Sequence, residues 1–201
     1  MEKVRLWTLQ PADVWDLLKK DGALITEASL LNYREMWPDS FDWMCDQMRA
    51  RLIGYQGHYP WWAWYSPKPD LRFWRHQMRG SGADGRARFV RMELCLPADR
   101  VLLSSSDAWS SVLNHDFVPY TQLDLDRLQA AGSIGPIWPL PEPYRTVVMR
   151  SWQRIFDLSG IQEGEPWAGR YVQATFEVLA LEDVVSVTPF SGVGGAMAEG
   201  E

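Results

Sequence analysis

An α+β domain is what the sequence predicts, and three observations carry that reading. Arg88 to Leu96 and Arg170 to Leu179 alternate in polarity with the period of two that a strand requires. Phe41, Met44, Cys45, Met48 and Leu52 recur at the spacing of one helix face. The stretches of each kind fall in the order β-α-α-β, a loop, then β-β-α-α-α-β-β. The strands are therefore divided between the two halves of the chain and not wound into regular βαβ units. A length of 201 residues suits one domain, expected over residues 1–190. The small, acidic segment 191–201 reads as a flexible tail.

Taken in order, Arg5–Leu9 is short, aromatic and β-branched, hence a strand. Pro11 opens a helix with Val14, Trp15, Leu17 and Leu18 as its apolar stripe, and Gly22 closes it. Asp39 or Ser40 is expected to cap the second helix, whose stripe is given above. Trp61–Tyr65 lies between Pro60 and Pro67 and reads as a short strand. Residues 70–87, with Gly80, Gly82 and Gly85, show no periodicity and predict a long loop. The strand Arg88–Leu96 follows, then a brief one at Val101–Leu103 and a capped short helix from Ser104 to Asn114. Thr121 would cap a helix over 121–131, and the prolines of 135–143 make a stiff connector. A helix with Tyr144, Val147, Val148, Trp152, Ile155 and Phe156 precedes the strand 170–179 and a last strand over 184–190.

Composition removes several classes of function. No run approaches the roughly 20 apolar residues of a membrane span, and Met1-Glu-Lys-Val-Arg5 lacks the apolar core of a secretory signal, so a cytoplasmic protein with no membrane partner is expected. Cys45 and Cys95 read as buried thiols, and His58, His76 and His115 are too scattered to hold a metal. A net charge of −6 argues against coating nucleic acid wholesale. Positive charge is nevertheless concentrated at Arg72, Arg75, His76, Arg79, Arg86, Arg88 and Arg91. The count of 12 Trp is several times ordinary usage and supplies rings for a core or for stacking on flat ligands. Phosphate loops, dinucleotide fingerprints, zinc-helix motifs and nucleophile elbows are absent. On the strand 170–179, Val172, Ala174, Phe176 and Val178 form a core face, while Tyr171, Gln173, Thr175 and Glu177 form a polar one.

Three segments together resemble ADP-ribosyltransferases, most closely the DNA-targeting toxins of the DarT type. Arg5-Leu-Trp-Thr-Leu-Gln-Pro through Leu24 is similar to their opening strand, helix and Gly-Leu turn. Trp61-Trp-Ala-Trp-Tyr-Ser-Pro-Lys-Pro-Asp-Leu-Arg72 resembles the second motif, an aromatic strand entering a Ser-Pro turn. Phe176-Glu-Val-Leu through Val187 is similar to the final motif, in which a catalytic Glu sits on a strand. The chain also resembles a bacterial domain-of-unknown-function family that opens on Trp-Thr-x-Gln, as Trp7-Thr8-Leu9-Gln10 does here. The transferase likeness covers about fifty residues, and no motif in it is specific by itself. The chain departs from it in having Trp7 or Thr8 where His or Arg is usual, Lys68 where Arg follows the turn, and Thr175 where Gln or Glu is common.

The resemblance implies a mixed, split β-sheet with flanking helices and the transfer of ADP-ribose from NAD, as co-substrate, to a macromolecular acceptor. That acceptor would be a nucleic-acid base or a protein, and the toxin-like motifs add an antitoxin partner. Breaking the glycosidic bond to nicotinamide needs a carboxylate near the ribose, a role that falls to Glu177, with Arg72 as its catalytic cation. The expected cofactor contacts are Arg5, Trp7, Thr8, Gln10, Trp64 and Tyr65, then Ser66, Lys68, Gln173 and Thr175; no metal is required. A non-catalytic nucleotide- or protein-binding module on the same fold, and an NAD glycohydrolase, are the alternatives.

Overall fold

In the computed structural model, the described residues are 2–26, 37–77, 88–119, 121, 123, 124, 126, 139–159 and 171–192. Residues 27–36, 78–87, most of the helix expected over 121–131, residues 135–138 of the connector and the tail from 193 lie outside them.

Strand β1 (Lys3–Pro11) runs straight into helix α1 (Ala12–Asp21), with Pro11 as the residue that caps it. The α1 helix ends at Gly22, whose φ of 78° is the left-handed conformation a side chain resists, and its N–H donates to Leu18 O. Next come β2 (Ala23–Ile25) and α2 (Pro38–Arg51). Pro38 takes the first helical position, so neither Asp39 nor Ser40 caps α2. Ser40 is instead buried and donates to Val112 O at 2.8 Å. Strand β3 (Trp61–Ser66) leads to α3 (Leu71–Gln77), β4 (Arg88–Pro97), β5 (Leu102–Ser105) and α4 (Ser106–Leu113). After α5 (Tyr144–Ser151) and a 3-10 turn at Trp152–Phe156 come β6 (Val172–Phe176), β7 (Val178–Ala180) and β8 (Val184–Ser191).

The α+β class is the one the chain adopts, with its strands in a six-stranded sheet ordered β5-β6-β3-β1-β4-β8 and a two-stranded sheet of β2 and β7. All the ladders named here are antiparallel, which narrows the expected mixed sheet. The β1 and β4 strands share nine residue pairs, whereas β1 and β3 share one, Trp7↔Trp64. The Thr8 hydroxyl adds a further link between the two strands by donating to Trp62 O at 2.9 Å.

Two cores follow from the alternation. On one face Leu6, Met92, Leu94, Ala174 and Phe176 pack against Leu18 of α1 and Leu179 of β7. On the other, over β5, β6 and β3, Leu102 and Trp62 meet Met44 and Met48 of α2, Trp109 of α4 and Trp152 after α5. Trp152 is wholly buried, and its indole N–H donates to Asp116 O at 2.8 Å. Since helices cover both faces there, every residue of β6 is buried. The polar face expected for Gln173 and Thr175 is therefore an interior one, satisfied from β5: Gln173 Nε2 donates to Ser104 Oγ at 3.2 Å and Thr175 Oγ1 to Leu102 O at 3.4 Å.

Two expectations are corrected. The expected loop 70–87 begins with a helix, α3, which Asp70 starts by accepting Arg72 N–H at 2.9 Å. The strand 170–179 is not continuous: it breaks at Glu177, after which β7 joins the other sheet.

Candidate functional site

On the second face of the six-stranded sheet, α2, α4 and α5 pack over β5, β6 and β3. Further across, over β3, β1 and β4, lies a polar and aromatic surface roofed by the turn after β3 and by α3. Trp64 of β3 is its centre, with ring centroids 5.9 Å from Trp74 of α3 and 6.1 Å from Tyr171. Phe73 stands edge-on to Trp74 at 5.6 Å. These rings line a hollow of about 520 Å³ with Lys68, Asp70 and Asp107 among its polar walls. Trp64 and Trp74 also wall a second hollow of about 190 Å³ at the seam of β1 and β3, together with Leu9, Gln10, Trp62 and Gln173.

Lys68 is held at the boundary of this surface. Its ammonium stands 5.5 Å from the centroid of the Trp7 ring and 3.9 Å from Glu93 Oε2. Arg5 Nε reaches the same carboxylate at 3.3 Å, and Ser186 Oγ donates to it at 3.3 Å. The register explains the cluster, because Glu93 pairs with both Trp7 and Ser186. Two cations share the Glu93 carboxylate beside the aromatic hollow, whose own lining carries Lys68 together with the carboxylates of Asp70 and Asp107. An anionic group therefore fits only on the Lys68 side.

Glu177 lies elsewhere. It follows the last residue of β6, four residues beyond Gln173, which at about 3.3 Å per residue of strand is about 13 Å along the strand from the nearer hollow's wall. Its carboxylate is capped by backbone: Gln56 N–H donates to Oε1 at 2.8 Å and to Oε2 at 2.9 Å, and His58 N–H donates to Oε1 at 2.9 Å. Gly54 and Gly57, at φ of 76° and 104°, turn the 54–58 segment so that these groups converge. The carboxylate borders a separate hollow of about 230 Å³ with Tyr55 and Arg100. Burial pushes the Tyr55 phenol well above its ordinary range; its hydrogen-bonded neighbour Cys45 adds to this, and the charge of Glu177 adds less. Burial likewise pushes the Cys45 thiol up.

Of the residues expected to form one site, the structure brings Gln10, Trp64, Lys68 and Gln173 to the walls of the two hollows, with Thr8 bonded to Gln10 and Trp7 under Lys68. Arg5 stands one residue-pair away on Glu93. Five others do not meet there. Thr175 is in the core, Tyr65 and Ser66 line neither hollow, Arg72 is exposed on α3, and Glu177 is capped at the opposite end of β6. Trp74, Tyr171 and Glu93 belong to the site without having been expected in it. The signal for Trp74 was present: Asp70 as a cap, followed by adjacent aromatics in an Arg-rich stretch.

Fold and site together define an α+β protein with an antiparallel sheet that carries a tryptophan-walled site at the seam of β1 and β3. A family model described as Domain of unknown function (DUF3841) matches residues 5–185, and the chain belongs to that family. No curated protein and no solved structure matches it. Among the described residues no helix is long and apolar enough to cross a membrane.

Proposed function

We propose that this protein binds a nucleotide in the hollows beside Trp64 and Trp74, NAD being the candidate implied by the resemblance to ADP-ribosyltransferases. One observation supports this above the others: two hollows share the Trp64 and Trp74 rings as walls, and the larger has the Lys68 ammonium in its lining. Flat rings stack on indoles, amides read ring edges, and an ammonium pairs with phosphate. The reading is of a cytoplasmic binding module.

Transfer of ADP-ribose to a nucleic-acid or protein acceptor is the second reading, favoured by the three motif likenesses and by Gln10, Trp64 and Gln173 lining one hollow. It requires Glu177 to leave three backbone N–H bonds and cross most of the length of β6, so the binding module takes precedence.

Calorimetry with NAD, followed by nicotinamide release with and without nucleic acid or lysate, tests both. Binding without release supports the module. Acceptor-dependent release that Glu177→Ala abolishes replaces it with the transferase, and release without any acceptor replaces it with a glycohydrolase. Failure of NAD, AMP and related nucleotides to bind at all overturns the proposal.

A further inference from the structure

We infer that the larger hollow is a binding site for an acyclic quaternary ammonium ion, the head of a choline-like molecule or of a trimethylated lysine side chain. This goes beyond the nucleotide reading, which places its anion on the Lys68 side of that hollow, and it needs no nucleotide to be bound.

Four rings and two carboxylates make the case. Tyr171 stands at 73° to Trp64, Trp74 is tilted at 47° to it, and Phe73 stands at 85° to Trp74, all four lining the same space. Rings set at such angles wall a box more than a slot, and a compact, rounded cation can meet several of them at once. Both sides of the box are tied down. Arg91 Nη1 donates to Pro69 O at 3.0 Å, which fixes the turn before α3 to β4. Ser106 N–H donates to Tyr171 O at 2.9 Å, which fixes Tyr171 to the start of α4. Asp70, Phe73 and Trp74, spaced i, i+3, i+4, fall together on the hollow, while the basic residues Arg72, Arg75 and His76 lie off it.

Charge and hydration select the occupant. The lining sets two carboxylates, Asp70 and Asp107, against one ammonium, Lys68, which is already shared with Glu93 and the Trp7 ring. Among the described residues no cation pairs with either aspartate. The sheet order separates the signs: Lys68 stands over Trp7 of β1, whereas Asp107 and Tyr171 adjoin β5 and β6, on the other side of Trp64. Positive charge is favoured there by the carboxylates and again by the ring quadrupoles. An unmodified lysine ammonium is strongly hydrated and must shed water to enter, whereas methyl groups spread the charge over an apolar surface that the rings can cover. At about 520 Å³ the hollow is within the range of small-molecule pockets, so the head can enter with the chain that bears it.

Two calorimetric comparisons on the full chain test the inference: choline against its uncharged isostere 3,3-dimethylbutan-1-ol, and a glycine-flanked trimethyl-lysine tripeptide against its unmethylated form. In at least one pair the quaternary ion should bind about tenfold tighter than its counterpart, and the tighter of the two quaternary ligands identifies the source. Tyr171→Leu should weaken that binding by roughly two- to tenfold. Phe73→Leu, at an exposed position, should do the same and keeps the test open if Tyr171→Leu does not fold, as circular dichroism would reveal. Asp107→Asn should weaken it about two- to fivefold, the worth of one exposed charge, and Lys68→Gln should strengthen it by a similar factor. The inference is overturned if the members of both pairs bind alike, if none binds, if binding is undiminished in the folded Tyr171, Phe73 and Asp107 variants, or if Lys68→Gln weakens it. Choline binding without NAD binding would leave this site standing and remove the nucleotide reading. NAD binding with no preference for the quaternary ion would do the reverse.

Discussion

Replacing Glu177 with alanine separates a clamp from a catalyst by the sign of its effect on stability. The carboxylate accepts three hydrogen bonds from two N–H groups of the 54–58 turn, which ties the entry of β3 to the break between β6 and β7. Bonds to a charged acceptor are each worth about 1.5–3 kcal/mol when shielded. The two at Gln56 are exposed and count for less, while that at His58 is partly buried, so the loss should be about 2–3 kcal/mol. For a chain of this size that is roughly 5–10 °C in melting temperature. Glu177→Gln keeps an acceptor but no charge, and about half the loss is expected, because charge-assisted bonds are roughly twice as strong as neutral ones. Urea and thermal unfolding of the three proteins provide the measurement. Catalytic carboxylates are commonly held at a cost to the fold, and their removal is neutral or stabilising. A Glu177→Ala protein as stable as the parent, or more so, refutes the clamp and returns Glu177 to the catalytic account.

Three further outcomes are expected. Trp74→Ala should weaken NAD binding by roughly 10- to 100-fold, the effect of losing one stacked ring, with stability changed by less than about 1 kcal/mol because α3 buries no residue fully; calorimetry and urea unfolding of the same variant check both halves. Ser151→Ala should cost about 1–3 kcal/mol in urea unfolding, since the buried Ser151 hydroxyl accepts Val118 N–H at 2.9 Å and donates to Val148 O at 2.6 Å, leaving two buried backbone groups unpaired. Burial holds the His115 imidazole below its ordinary pKa of 6.5, against the smaller upward pull of Asp39 and Asp116. The unfolded chain therefore binds the proton more readily, and the stability that the neutral ring contributes above pH 6.5 is lost as pH falls below it. Denaturation at pH 7 and pH 5 should show a smaller acid loss in His115→Asn, a residue that tolerates the φ of 58° at this position.

What the sequence reveals here depends on how local the determinant is. The stripe from Phe41 to Met48 and the alternation from Val90 to Leu96 appear as α2 and β4, because burial on one face imposes their period. The α3 helix escaped because its seven residues bury none fully, so no stripe was needed; only Asp70, as a cap, marked it. The break at Glu177 is invisible for another reason. Alternation runs unbroken from Val172 to Val178, yet the partner changes from β3 and β5 to β2, and period says nothing of partner. Burial of Gln173 and Thr175 likewise depended on β5 offering Ser104 Oγ and Leu102 O some seventy residues away. At the site, Trp64, Lys68, Gln10 and Gln173 were legible as residue types suited to a nucleotide. That Glu177 would be drawn off by the backbone of Gln56 and His58 was not, since a capping loop and a catalytic cleft ask the same of a strand-end carboxylate.

The ladders on either side of the sheet run to between four and nine pairs, yet a single pair, Trp7↔Trp64, joins the triplet β5-β6-β3 to the triplet β1-β4-β8. Ladder hydrogen bonds hold neighbouring strands in register, so the Trp7↔Trp64 seam is the boundary of the sheet with the fewest of them. Contacts that a ligand made to Trp64 on one side and Trp7 on the other would add cross-links where the backbone supplies least.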